Sequence, residues 1–295
     1  MATNFLPEVW SAETQRLLHE KLRAEKPIYS TITDYSSLTK NVQAGAYHGP
    51  MLGDVTGQSM PISDEKFTEL AKSTFNMPFG NSVGVPVVIN DITAAQSILA
   101  IRQVYGQLAV DAIIDNYDKA AIEEMIDETP ALNRIAPADT VNGTLGKADF
   151  IVAHKKLNEA KAPRTNRYCV IGPEFEAQLY NISDFISRDK IADTSALSAG
   201  AVGKLLGFEV ILLPDMPKVD SDGDVAALGT GNVAVFYHSS CAGFGRNLEF
   251  GAREESKAGI PGTMVNIFSV YGVKIHPGAL GKRIVTVIQN LTVGS

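Results

Sequence analysis

Cysteine is scarce in this 295-residue chain: only Cys169 and Cys241 occur, 72 positions apart, in no CxxC pair and no metal-ligand spacing. That excludes a disulfide framework and fits a reducing compartment, with both thiols expected buried or idle. Long apolar runs are missing as well. The longest, such as Val83 to Ile89 and Val210 to Leu213, fall far short of the ~20 residues that a membrane-crossing helix requires. The opening Met-Ala-Thr-Asn-Phe-Leu-Pro-Glu has no basic stretch followed by an apolar one, so no secretory signal is expected and the chain is expected to begin in a cytoplasm. Basic runs are lacking too. Lys plus Arg number 26 against 33 Asp plus Glu, a net charge of −7, which argues against a protein that grips a long nucleic acid through its phosphates.

Catalytic strings are equally sparse. The five histidines, His19, His48, His154, His238 and His276, are scattered with no HExxH and no HxH. Ser59 in Gly57-Gln-Ser59-Met-Pro61 lacks the second glycine of a nucleophile elbow. Gly143-Thr-Leu-Gly146-Lys147 and Gly278-Ala-Leu-Gly281-Lys282 lack both the four-residue gap and the hydroxyl of a phosphate loop, and read as turns. Gly229-Thr-Gly231-Asn-Val-Ala234 runs into a strand pattern, where a dinucleotide site needs a helix N-terminus. Asp220, Asp222 and Asp224 match the first oxygen positions of a calcium loop, but Val225 occupies the glycine position, so a solvated turn is expected. No catalytic residue, cofactor or metal site is expected.

What is present is 45% hydrophobic residues over a length that buries one sizeable core and invites two. Ser11 caps a charged amphipathic helix over 12–26. Residues 31–85, rich in Thr, Ser, Gly, Asn and Pro, read as a long extended hairpin whose middle has too few large apolar residues to form a core of its own. The clearest helix spans 93–128, from a Thr93-x-x-Gln96 capping box to Thr129-Pro130. Ile98, Ile101, Tyr105, Leu108, Ala112 and Ile122 form its apolar side, and Asp111, Asp115 and Asp118, at i, i+4 and i+7, an acidic one. From 130 onward strand patterns at 167–171, 208–213 and 232–237 and a helix at 173–181 give a mixed α/β unit; 247–256, 263–275 and 283–289 alternate like antiparallel strands that rejoin the long helix.

The opening Asn4-Phe5-Leu6-Pro7-Glu8-Val9-Trp10-Ser11-Ala12-Glu13, the long helix after Asn90-Asp91-Ile92, and the ending from Leu248-Glu249-Phe250-Gly251-Ala252-Arg253 through Tyr271 to Leu280 resemble a tailed-bacteriophage major capsid protein of the Hong Kong 97-type fold. The resemblance spans nearly the whole chain in element order, through loose motifs. It implies an α+β fold with an N-terminal arm at 1–30, an extended β-hairpin loop at 31–85, a discontinuous peripheral domain with a long spine helix at 86–129 and 251–295, and a mixed α/β axial domain at 130–250. It implies a virion protein, assembled in the host bacterial cytoplasm, that forms pentamers and hexamers of an icosahedral shell. Its partners would be other copies of itself, with separate scaffolding, decoration and portal proteins. It would enclose double-stranded DNA without specific binding and without contact to a membrane.

For the assembly interface the expected residues are Trp10, Met51, Leu52, Met60, Arg102, Arg246, Glu249, Arg253 and Glu254. Asp111, Asp115 and Asp118 are expected on a lumen-facing acidic face that repels phosphate. Some relatives crosslink subunits through a Lys–Asn isopeptide bond, for which Lys40 or Lys66 with Asn266 are the available groups, and some carry an N-terminal scaffolding segment that this sequence is expected to replace with a separate protein. Two other readings stand beside this one. One is an encapsulin-type nanocompartment shell; the other is a cytoplasmic α/β enzyme with an interlobe cleft and Cys169 or His238 as its reactive group.

Overall fold

The computed structural model describes residues 27–39, 45–52, 72–90, 99–139, 143–179, 201–227, 229–256 and 262–289. A 3-10 turn over Ile28–Thr31 leads to β1 (Thr33–Asp34), α1 (Ser36–Thr39), β2 (Ala46–Leu52), β3 (Lys72–Pro78), β4 (Asn81–Asn90) and the long helix α2 (Leu99–Asp127). A second 3-10 turn, Ala131–Asn133, precedes β5 (Arg134–Ile135), α3 (Lys147–Glu159), β6 (Arg167–Ile171), α4 (Pro173–Leu179), β7 (Ala201–Leu205), β8 (Phe208–Leu212) and β9 (Val233–His238). A third, Ser239–Cys241, leads into β10 (Ala242–Ser256), β11 (Gly262–Ile275) and β12 (Ile284–Ile288).

Among the described residues the strands form a four-stranded sheet in the order β1-β10-β11-β4, a six-stranded sheet in the order β5-β12-β9-β6-β8-β7, and the β2-β3 hairpin. The six-stranded sheet forms because its central strands are almost wholly apolar, with Thr286 inside β12 and His238 at the end of β9 as the polar positions. All six residues of β9 (VAVFYH) and all five of β12 (IVTVI) are buried, as strands covered on both faces must be. On one face, Phe150 and Leu157 of α3 and Phe175 of α4 meet Phe208 and Phe236; the Phe150 and Phe236 rings pack edge-to-face at 4.9 Å. On the other face Val170, Val235 and Tyr237 join a second core that includes Ile113, Tyr117, Ile122 and Met125 of α2 and Phe244 and Tyr271 of the four-stranded sheet. One helix thus serves both sheets.

Several expectations change. The extended hairpin does not run over all of 31–85: β1 pairs with β10 in parallel, and β4 pairs with β11 over ten positions, so among the described residues the hairpin consists of β2 and β3. Val83 and Val85 on alternate positions of β4 pack on the shared core, which fixes that strand to the sheet. The C-terminal strand β12 does not rejoin the long helix's sheet with 251–275. It lies between β5 and β9 in the six-stranded sheet. Leu108, expected on the apolar side of α2, is 58% exposed, whereas Ile122 of the same set is buried; Ala109, Val110, Ile113, Ile114, Tyr117, Ala121, Met125 and Ile126 are buried with it. The segment at Gly146-Lys147 is not a simple turn. It begins α3: the Gly146 N–H donates to Asp149 Oδ2 at 2.7 Å, closing the first helical turn.

Candidate assembly surfaces

Alternation along β3 sets how the hairpin is seated. Phe75 and Met77 are buried while Thr74, Asn76 and Pro78 are exposed, so one face of this strand lies on the four-stranded sheet. That sheet offers glycines at the contact. A Cβ on Gly243 would meet the Tyr35 ring at 2.6 Å and one on Gly245 the Met77 Cε at 2.5 Å. At Gly272 it would run into the Pro78 carbonyl oxygen, which is backbone and cannot swing aside. Around this seat the Phe75 ring lies 5.6 Å from Tyr35 and 4.7 Å from His276, and Tyr47 of β2 lies 5.4 Å from Tyr35.

His276 is the polar centre of the seat. Its Nδ1 lies 2.9 Å from the Ser240 carbonyl, which can only accept, so Nδ1 carries the proton and Nε2 accepts from the Tyr35 hydroxyl at 3.0 Å. Both bonds are made by the neutral ring. Burial pushes the His276 pKa below its ordinary value, against the Ser240 carbonyl, which raises it.

A second joint ties the chain ahead of β1 to the long helix. Asp118 accepts from the Tyr29 backbone N–H at 2.9 Å, satisfying an early N–H of the 3-10 turn, and the Tyr29 ring packs edge-to-face on Tyr117 at 5.2 Å. The Tyr117 hydroxyl donates to Ser269 Oγ and the Tyr271 hydroxyl to the Asn116 carbonyl at 3.3 Å, fixing α2 to β11. At the end of α2, Arg134 donates to the carbonyls of Ile126, Asp127 and Thr129 at 3.3, 2.8 and 3.2 Å. The same guanidinium donates to the Asp222 carbonyl at 2.9 Å and pairs with the Asp224 carboxylate at 2.7 Å. Lys274 meets Glu124 and Glu128 at 2.8 Å each. Two cations therefore offset an acidic helix C-terminus that would otherwise oppose the helix dipole.

The expected residues divide as follows. Trp10 and Met60 lie outside the described residues, as do Lys40 and Lys66. Met51 and Leu52 are in β2, paired with Ser73 and Lys72. Arg102 is in the first third of α2. Glu249 falls in the register irregularity between Leu248 and Gly251, and Arg253 and Glu254 pair with Asn266 and Val265 along β11. Arg246 is not at an open rim: it is 8% exposed, its Nε donates to Ser36 Oγ, and its carbonyl accepts from Thr39. Nor do the three aspartates of α2 share one open face. Asp115 is exposed and Asp111 half-buried, but Asp118 is buried against the Ile28–Thr31 turn of its own chain.

Arg134 and His276 are the residues that sequence reasoning missed. A basic side chain seven residues after an acidic helix end was the available signal for Arg134. For His276 there was none, because its partners Tyr35 and Phe75 are about two hundred or more positions away. The two groups of the enzyme reading, Cys169 and His238, are both buried. Cys169 is fully buried, with burial holding its thiol protonated, and the Cys241 thiol is pushed up to about 12 by burial. His238 is buried, and desolvation, with Arg283 and Arg167 nearby, lowers its pKa.

The phage capsid protein family model matches residues 79–276, from before β4 through β11. No curated protein matches the chain in sequence. Among solved structures, the chain is similar to one from Mycobacterium phage Che8, with a TM-score of 0.65 at 17% identity over 90% of this chain and 93% of that one. It is similar to one in the capsid of the cyanophage P-SCSP1u, with a TM-score of 0.63 at 15% identity over 87% and 86%. A virus-like particle from Pyrococcus furiosus gives a TM-score of 0.57 at 10% identity over 95% and 98%. A family model covering two thirds of the sequence, on a fold that aligns along almost the full length of known shell subunits, establishes that the chain belongs to the phage capsid protein family, as a major capsid protein of the Hong Kong 97-type fold.

Proposed function

We propose that this capsid protein assembles with copies of itself into pentamers and hexamers of a closed icosahedral shell around double-stranded DNA, in the cytoplasm of a bacterial host, and turns over no substrate. The observation that carries this reading is the β2–β3 hairpin. It pairs with neither sheet and rests on one of them through Phe75 and Met77 of β3. A two-stranded ribbon is marginally stable alone in water, and a ribbon seated along one strand has surface left to give to a neighbouring subunit. Scaffolding, decoration and portal proteins belong to the same reading as separate partners. The arm and the hairpin tip, with Trp10, Met51, Leu52 and Met60, are its proposed inter-subunit contacts, and Asp111 and Asp115 its lumen-facing carboxylates.

Sedimentation of the purified protein, followed by nuclease treatment of the fast-sedimenting fraction, tests the reading. Shell-sized particles from DNA-packaging cells that hold nuclease-protected duplex DNA are the expected result. Particles that consistently enclose a protein and no DNA would move the chain to the nanocompartment reading, and material that never exceeds a monomer or dimer would remove the shell reading altogether.

A further inference from the structure

Among the described residues, the two ends of the six-stranded sheet carry opposite charge. At the end where β6 begins and β9 finishes, marked by the register pair Arg167 and His238, the chain arrives through 160–166 and leaves through 239–241, and β12 enters there through 276–283. Segments 160–172 and 276–289 contain no Asp or Glu, and they bring Lys161, Arg164, Arg167, Lys282 and Arg283 to this end. Lys161, Arg164 and Lys282 are exposed. Arg167 and Arg283 converge on one loop: Arg167 donates to the carbonyls of Ala162 and Pro163 at 2.7 Å each, and Arg283 to that of Lys161 at 3.3 Å. Among the described residues Arg167, 2% exposed, has no carboxylate partner, and its second terminal nitrogen and the Arg283 Nε have no acceptor. At the same end, Lys204 of the edge strand β7 and Glu209 of its neighbour β8 face each other in register and offset one another.

The opposite end, marked by Ile171, Ala234 and Ile288, is acidic. There α4 begins with Glu174 and Glu176, and the excursion 213–231 between β8 and β9 carries Asp215, Asp220, Asp222 and Asp224 against the single cation Lys218. Lys119, Lys218 and Arg134 reach Asp215, Glu174 and Asp224, which leaves Asp220 and Asp222, both exposed, with no cation among the described residues. Five-residue strands separate the two ends by roughly 16 Å, about twice the screening length of roughly 8 Å at physiological salt. The ends of one copy therefore do not neutralise each other, and each presents exposed charge that a second body of opposite sign can meet.

We propose that the basic end of this sheet docks on the acidic end of the same sheet in a neighbouring copy, a head-to-tail contact that orders subunits within a ring. The partner is a second copy of this chain because the chain itself carries both complementary surfaces, and a contact between unlike surfaces of identical subunits repeats from copy to copy, giving a ring where its rotation closes. Opposite-charge faces act mainly on encounter rate and register, so the contact steers subunits into ring order more than it holds them there. The proposal rests on the shell-subunit reading and names the surface that reading leaves open.

The test reverses each end separately with exposed residues: Lys161→Glu with Arg164→Glu at the basic end, and Asp215→Lys with Asp222→Lys at the acidic end. Each variant alone is expected to lose assembly by about tenfold or more at about 0.15 M salt. One chain with both ends reversed is expected to recover wild-type assembly to within about twofold, since complementarity is restored at every contact; an equimolar mixture of the two single-end variants restores it only in even-membered rings and is expected to recover hexamers and not pentamers. Wild-type assembly should itself slow as salt rises, a readout that involves no variant. Normal assembly by either single-end variant, or failure of the double reversal to recover, overturns the proposal while leaving the shell reading standing. A basic-end variant that assembles normally but loses binding to a short duplex DNA would make that end a phosphate surface and equally overturn it. A wild type that never assembles removes both readings.

Discussion

The guanidinium of Arg134 meets the Asp224 carboxylate at 2.7 Å while the same side chain donates to the last carbonyls of the long helix. The pair joins the end of α2 to the excursion between β8 and β9, which also accepts help from Asp127, whose Oδ1 receives the Val225 N–H at 2.8 Å. The end of the helix that serves both sheets is thus fixed to the six-stranded sheet by one fork-shaped cation.

Replacing Arg134 by alanine should lower stability by about 2 kcal/mol, because helix-end carbonyls lose their donor in a site where the side chain is only 14% exposed. Lysine should restore less than half, since an ammonium cannot span Asp224 and three carbonyls at once. Urea unfolding of the unassembled subunit reads both values.

Asp118→Ala should leave the buried Tyr29 N–H without its acceptor and cost about 1–3 kcal/mol, with hydrogen exchange at the Tyr29 amide rising well before global unfolding. Asp118→Asn keeps a carbonyl acceptor and should lose much less. Equal loss in the two would show that charge, and not the hydrogen bond, is what the turn needs.

Asp118 also shows where a periodic pattern misleads. The i, i+4, i+7 spacing with Asp111 and Asp115 is real and puts the three on one stripe of α2, but a turn 89 positions earlier covers the last of them. No local signal reports that cover. By contrast β9 and β12 were legible as strands, β9 from the apolar run at 232–237 and β12 from the alternating pattern at 283–289, each within one residue of its observed limits. Helix α3 was hidden because Gly146-Lys147 looks like a phosphate-loop fragment, and because His154, Lys155 and Lys156 dilute the apolar set Phe150, Ala153 and Leu157. The sheet to which β12 belongs is a tertiary choice: an alternating or apolar strand states how it is buried and not which neighbour it pairs with.

Gly272→Ala should unseat the hairpin, since a Cβ there collides with the Pro78 carbonyl and neither strand can yield without breaking its ladder. A loss of about 2 kcal/mol or more is expected, in the range of overpacking. Protection of the β2 and β3 amides should fall while β9 stays protected. Uniform loss across all three strands would mean that the glycine serves the core and not the hairpin seat.

Acid should loosen the same joint. The His276 pKa is lowered in the folded chain by burial, so below about 6.5 the unfolded chain takes up a proton that the folded one resists. Stability is full above that value and falls as pH drops toward the folded pKa; His238, lowered likewise, adds in the same direction. The urea midpoint should therefore decrease from pH about 7.5 to about 5.5, and less steeply in His276→Gln, which does not titrate. An unchanged slope in that variant would assign the effect elsewhere.

Electron microscopy of the purified full-length protein, alone and with a candidate scaffold, tests the central claim most directly. The account predicts closed shells or their capsomers, with five- and six-fold averages in which the β2–β3 hairpin lies across an adjacent subunit. A monodisperse monomer or dimer under all conditions would contradict it.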